Sequence, residues 1–162
     1  MFVEVSSPRE VATVARLARE IWRDHYEPII GAAQVAYMLD KFQSAQAIAA
    51  QVAERDHWYF LIRHENRAVG YIGLERRQEA LFLSKLYLKK SVRGRGLGRR
   101  AVDFVRQFAG ARGLSTIRLT VNRHNATAIA AYERTGFIRA GEVVTDIGGG
   151  YVMDDYVFEC RL

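Results

Sequence analysis

One stretch constrains this chain more than any other. In residues 81–100, LFLSKLYLKKSVRGRGLGRR, an apolar, strand-like run leads through two lysines into alternating arginines and glycines, and a helical pattern follows at once. That order calls for a strand, a tight turn and a helix start. Glycine adopts backbone angles closed to other residues and lets its N–H groups approach a ligand closely. A helix N-terminus adds unpaired donors and a partial positive charge. Arg93, Arg95, Arg99 and Arg100 surround it with full charges. The expectation is an anion cradle for a phosphorylated ligand. A plain glycine hinge is the structural alternative, but three flexible glycines among arginines are costly to order unless the bare backbone is used.

Spacing excludes two familiar phosphate loops. A Walker loop needs GxxxxGK followed by Ser or Thr, and no such pair follows these glycines. A dinucleotide fingerprint needs GxGxxG and an acid about 20 residues on, at the end of the next strand. Here the spacing is GxGxG, and the next strand pattern ends in Val121-Asn122.

With 162 residues and 49% apolar content, the chain can bury a full core as a single domain over 1–162. Charged residues at 26% and only two prolines argue against disorder. No apolar run approaches the length of a membrane span, so neither a transmembrane helix nor a signal peptide is expected. Cys160 is the single cysteine, which rules out an internal disulfide and suits a reducing, cytoplasmic setting. The net charge of +6 is uneven: residues 85–100 hold seven of the 24 basic residues and no acid. That suits a nucleotide-bearing cofactor, and also nucleic acid. Nucleic acid is not expected, because Tyr87 is the only aromatic residue there and a single-strand platform interleaves several. His25, His57, His64 and His124 lack metal-ligand spacing, so no metal is expected.

The rest of the chain alternates between strand and helix patterns. A short strand at 2–5 precedes Ser7-Pro8, an N-cap and first-turn proline for a helix that ends near Pro28. Short helices are expected at 33–41 and 44–54, paired strands at 58–63 and 68–76, and a strand at 81–88. The loop's own helix stops at Arg112-Gly113. A strand at 116–121, a helix at 125–135 and strands at 137–147 and 151–161 complete the order β-α-α-α-β-β-β-α-β-α-β-β. This is an α/β plan, a mixed sheet flanked by helices.

Two motifs carry a family resemblance. Lys85-Leu86-Tyr87-Leu88 followed by Arg93-Gly94-Arg95-Gly96-Leu97-Gly98 resembles motif A of the GNAT superfamily of N-acetyltransferases, whose loop reads (R/Q)xxGx(G/A). Residues 121–137, VNRHNATAIAAYERTGF, resemble that family's second signature. The resemblance covers residues 55–162 well. The segment IWRDHYEPIIGAAQVAYML and Met153-Asp154-Asp155-Tyr156 are similar to a polyamine-acetyltransferase-like branch. The resemblance implies a mostly antiparallel sheet of six to seven strands, splayed into a V between the strands at 81–88 and 116–121. It implies acetyl-CoA as acyl donor and direct transfer to an amine in a ternary complex. The backbones of Leu86, Tyr87 and Leu88 would pair with the pantetheine amides like an added strand. The N–H groups of Arg93, Gly94, Arg95, Gly96, Leu97, Gly98 and Arg99 would receive the pyrophosphate. Asn125, Ala128 and Tyr132 would complete the CoA site, Asn125 as a pantetheine contact or a helix cap.

For the chemistry, Tyr132 matches the position of a family acid that protonates the leaving thiolate. As a core aromatic it would share a helix face with Ile129. The proton acceptor is open. Many relatives place a glutamate where this chain has Ser84, which can hold a water but cannot take the proton alone. Ser84 and Glu75 are the candidates, with Glu27 and His25 as further possibilities. Asp154-Asp155 reads as a solvated strand end rather than a contact for a cationic acceptor. Trp22, Tyr26, Tyr37 and Met38 read as core rather than pocket. Asp24 and Glu27 could present carboxylates to a polyamine. The expected function is acetyl transfer to a primary amine on a small molecule, polyamine or peptide, by a chain that could pair as a homodimer. A CoA-binding sensor without turnover is the alternative.

Overall fold

Ser7 and Glu10 start the first helix by exchanging hydrogen bonds. The Ser7 hydroxyl accepts from the Glu10 N–H at 3.3 Å, and the Glu10 carboxylate accepts from the Ser7 N–H at 2.9 Å. Pro8 fills the first helical position, where an N–H would have no partner. The computed structural model describes residues 1–162, and in it this helix, α1, spans Pro8–Ile30. It therefore runs past the stop expected at Pro28. A proline so close to the C-terminus removes one N–H bond without ending the turn. The break comes instead at Gly31, whose φ of 87° no helix contains.

Strand β1 (Phe2–Glu4) precedes α1, and α2 (Ala32–Phe42) and α3 (Ala45–Ala53) follow it. Then come β2 (His57–His64), β3 (Arg67–Arg77), β4 (Ala80–Leu88), a short 3-10 turn at Lys90–Val92, and α4 (Leu97–Gly110). Strand β5 (Thr116–Asn122), helix α5 (Ala126–Arg134) and strands β6 (Ile138–Gly148) and β7 (Tyr151–Arg161) complete the chain. The order is the one expected from the sequence pattern.

All seven strands form one sheet in the order β1-β2-β3-β4-β5-β7-β6. Every neighbouring pair is antiparallel except β4 and β5. That parallel pairing is brief: Ala80, Leu81 and Phe82 meet Thr116, Ile117 and Arg118, and nothing beyond. Past this point β4 stays with β3 as far as Leu88, and β5 stays with β7 as far as Asn122. The sheet therefore parts into two halves.

A bulge in β4 sets which side chains face the gap. Gly73 pairs with Lys85 but Leu74 pairs with Leu83, which leaves Ser84 as an extra residue. Leu81 and Leu83 lie in the core under α4, and after the bulge Leu86 and Leu88 pack there too. Tyr87 is thereby turned to the α1 face. Two apolar cores hold the sheet from opposite sides. One includes Phe60, Ile72, Leu74 and Leu81 of the sheet with Val105 and Phe108 of α4; Ile129 and Tyr132 of α5 pack against it. The other gathers Val14, Leu17 and Ile21 of α1 with Met38, Ile48, Tyr59 and Tyr71. Each large apolar side chain so buried contributes roughly 1.5–3 kcal/mol, enough to hold the two half-sheets in place without hydrogen bonds across the gap. No helix is long and apolar enough to cross a membrane.

Candidate active site

Where β4 and β5 part, the molecule opens into a cleft of about 1090 Å³. One wall is the free edge of β4, including Leu86, Tyr87 and Leu88. At its mouth stands the glycine loop. Gly94 and Gly96 have φ of 75° and 76°, and a Cβ built on either would meet nothing within 4 Å. Gly96 immediately precedes α4, so its left-handed angle aims the first N–H groups of that helix outward. Gly98 sits in the first turn, where an added Cβ would touch only Leu88 Cδ1 at 3.8 Å. Open backbone, a helix start and basic residues stand together here, the combination in which proteins commonly hold oxyanions. Arg93, Gly94, Gly96, Leu97, Gly98 and Arg99 line the cleft, whereas Arg95 lies outside the lining with its side chain exposed.

Arg93 reaches back to the end of β4 and to α1. Its Nε and Nη2 donate to the Leu88 carbonyl at 3.2 and 3.1 Å, and its Nη1 lies 3.4 Å from His25 Nδ1. An arginine can only donate, so Nδ1 of His25 is the acceptor and its proton sits on Nε2. Nε2 in turn donates to Asn125 Oδ1 at 3.0 Å. The same Oδ1 accepts from the Ala128 N–H at 3.4 Å and caps α5, while Asn125 Nδ2 donates to the Tyr26 hydroxyl at 3.0 Å. A directed chain thus runs from the glycine loop through His25 and Asn125 to Tyr26. Asn125 is 3% exposed, and its cap role is the one the geometry displays. Replacing Asn125 by alanine is expected to lower stability by about 2–3 kcal/mol, since it orphans several buried groups at once; a denaturant midpoint unchanged from wild type would contradict this.

Tyr132, on α5, lines the cleft together with Ala128. Its ring also packs edge-on against Phe137 at 5.5 Å. The two readings of this residue are therefore compatible: the ring belongs to the core margin and the residue to the cleft wall. Burial pushes its phenol well above the ordinary range, with the nearby Tyr26 adding to the shift. It holds its proton at any physiological pH, as an acid must before it donates.

Both candidate proton acceptors line the cleft. Ser84 is the bulge residue, and its Oγ lies where a Cβ on Gly73 would come within 2.8 Å, so β3 needs glycine there. Glu75 is already engaged: Arg77 Nη2 donates to it at 2.8 Å and His57 Nε2 lies 3.8 Å away. Burial raises its pKa, but the Arg77 hydrogen bond and charge, with His57 and Lys85, outweigh this and hold the carboxyl below its usual value. Glu27 lies outside the cleft, as does Asp24, while His25 lines it in the chain described above.

The rest of the cleft lining holds the main surprises. Trp22, Tyr26 and Met38 are buried and line the cleft as well, whereas Tyr37 does not, its hydroxyl donating to the Ile147 carbonyl at 2.7 Å. Asp155 is 6% exposed and lines the cleft, so it is no solvated strand end. Adjacent strand residues face opposite ways, and only Asp154 behaves as expected, ion-paired with Arg123 at 2.9 Å. Lys85 was not singled out by sequence reasoning either. It lines the cleft with Nζ 3.3 Å from Gln51 Oε1, and burial lowers its pKa to about 8 despite the opposing charge of Glu75. A helical or strand pattern marks such residues only as inward-facing.

A splayed sheet of this topology is the fold of N-acetyltransferases. The structure matches the PaiA N-acetyltransferase of Thermoplasma acidophilum, solved in complex with coenzyme A, with a TM-score of 0.80 and 20% identity over 100% of this chain and 99% of that one. In sequence, the chain is 29% identical to an uncharacterized N-acetyltransferase of Mycobacterium bovis, over 80% of this chain and 83% of the relative. It is 27% identical to a 5-NmdU N-acetyltransferase of Pseudomonas phage PaMx11, over 74% of this chain and 84% of that protein. The model of the acetyltransferase (GNAT) family matches residues 15–137, and the chain belongs to that family.

Proposed function

We propose that this acetyltransferase moves the acetyl group of acetyl-CoA onto a primary amine by direct attack, with both substrates bound in the cleft. The observation that carries the reading is the parting of β4 from β5 beside the glycine loop. CoA joins an amide-bearing arm to a pyrophosphate, so it needs a free strand edge next to an anion seat. The backbones of Leu86, Tyr87 and Leu88 supply the edge, and the N–H groups around Gly94, Gly96 and Gly98 supply the seat. Tyr132 acts as the acid that protonates the departing thiolate, and Asn125 and Ala128 hold the start of α5 against the arm. The presence of CoA in the PaiA structure supports the donor assignment.

Transfer is tested by thiol release from acetyl-CoA in the presence of spermidine, phenethylamine or an alanine-led peptide. At least one acceptor is expected to release thiol in step with its own acetylation. Tight CoA binding with no thiol released by any acceptor would instead make the chain a CoA sensor and overturn the proposal.

A further inference from the structure

Strand β7 carries two consecutive carboxylates that the sheet sends to opposite faces. Asp154 is paired with Arg123 and is 41% exposed at its side chain. Asp155 is buried, makes no ion pair, and faces the cleft. A buried carboxylate without a cation costs stability, so packing alone gives no reason to keep one here. Building on the proposed acetyl transfer, we infer that Asp155 is the general base, the group that takes a proton from the acceptor's ammonium.

The placement suits that role. Asp155 pairs across the sheet with Asn122, at the end of β5 that diverges from β4. It therefore borders the gap assigned to the acetyl donor. Thr120 of β5 lies within side-chain reach of its carboxyl, and from α1 Trp22 and Tyr26 close the same cleft. The charged and titratable groups around it are few. Its own strand contributes the charge of Asp154 and α1 the hydroxyl of Tyr26, which His25 and Arg93 flank; β4 brings Tyr87 against Tyr26 and Lys85 into the cleft, and α5 brings Tyr132. The cleft-lining residues of β5 and β6 (Thr120, Val121, Asn122, Val143 and Thr145) do not titrate. Burial raises the carboxyl from its ordinary 3.8 to about 6, the charge of Asp154 adds to this, and the Thr120 contact draws it partly back. The same apolar wall disfavours the charge on a bound ammonium. The two proton affinities are thus drawn toward each other.

Atoms and protons balance without a further reactant. The ammonium loses one proton to Asp155, and its nitrogen then attacks the thioester carbonyl. The carbon–sulfur bond breaks, and the thiolate takes the Tyr132 proton. The second proton shed by the new amide nitrogen restores Tyr132, and Asp155 returns its own to solvent.

The test is Asp155→Asn, assayed by thiol release with the best acceptor among spermidine, phenethylamine and the alanine-led peptide. For the wild type, kcat/KM is expected to rise through about pH 6 and then level. The variant is expected to fall about a hundredfold or more at pH 7, and then to climb with pH toward the amine's own pKa as free amine replaces ammonium. A second readout is stability. A carboxyl whose pKa is raised on folding contributes most below its unfolded value and loses that contribution as pH rises through the folded one. The variant should therefore melt above the wild type at pH 8 and with it near pH 3. Unchanged kcat/KM and pH profile in the variant would overturn the assignment, as would a higher KM with kcat and profile retained. If the wild type binds CoA but releases no thiol with any of these acceptors, the transfer reading itself falls and this inference with it.

Discussion

Replacing Gly96 with valine is expected to weaken acetyl-CoA binding at least about a hundredfold, close to 3 kcal/mol by calorimetry. Gly96 has φ 76° and ψ 1°, a left-handed conformation at the threshold of α4. Valine there carries roughly 1–2 kcal/mol of backbone strain. Relaxing that strain would turn the N–H groups of Leu97, Gly98 and Arg99 away from the pyrophosphate, and each hydrogen bond to a charged group is worth about 1.5–3 kcal/mol. The fold itself should survive, because a Cβ at this position meets nothing within 4 Å. Asparagine tolerates left-handed angles, so Gly96→Asn should lose about tenfold or less. If asparagine is as harmful as valine, bulk rather than backbone angle is responsible. Wild-type affinity in the valine variant would remove the pyrophosphate from this loop.

Replacing Tyr132 with phenylalanine should lower kcat by about 10²–10⁴, the usual share of a general acid. Acetyl-CoA affinity should stay within about threefold. Phenylalanine keeps the ring that packs against Phe137 and the core under α4, so a loss of turnover cannot be ascribed to unfolding. Because burial and Tyr26 hold the phenol above its ordinary value, the wild type should show no alkaline decline from Tyr132 ionising below about pH 10. A phenylalanine variant as active as wild type over the whole pH range would exclude the phenol from proton transfer.

Much of the scaffold was legible because its signals are local. Ser7 and Pro8 announce a helix start in two residues, and the structure forms both features and adds Glu10 to complete the cap. The β4 bulge left no such signal: residues 81–83 and 86–88 are unbroken apolar runs, so no alternation marks Ser84 as the extra residue. Pro28 misled by the same locality. Its cost to a helix depends on how many turns follow, and Gly31 ends α1 almost at once.

The site was legible only in part. Motif spacing located the loop and Tyr132, but Asp154 and Asp155 look alike as a pair of letters. Strand alternation requires them to face opposite ways, yet the letters do not say which way leads to Arg123 and which to the cleft. His25 and Asn125 meet across 100 positions of sequence. Nothing near either residue predicts the other.

The amino-acid sequence by itself determined the order of the elements and the glycine loop between β4 and α4. Glycine angles, caps and apolar periodicity act over a few residues, so they can be read from a few residues. Only the tertiary structure decided where the sheet parts, which carboxylate is buried without a cation, and how Arg93 is tied through His25 and Asn125 to Tyr26. Exposure and proton affinity belong to a group's surroundings, and here distant segments of the chain supply them.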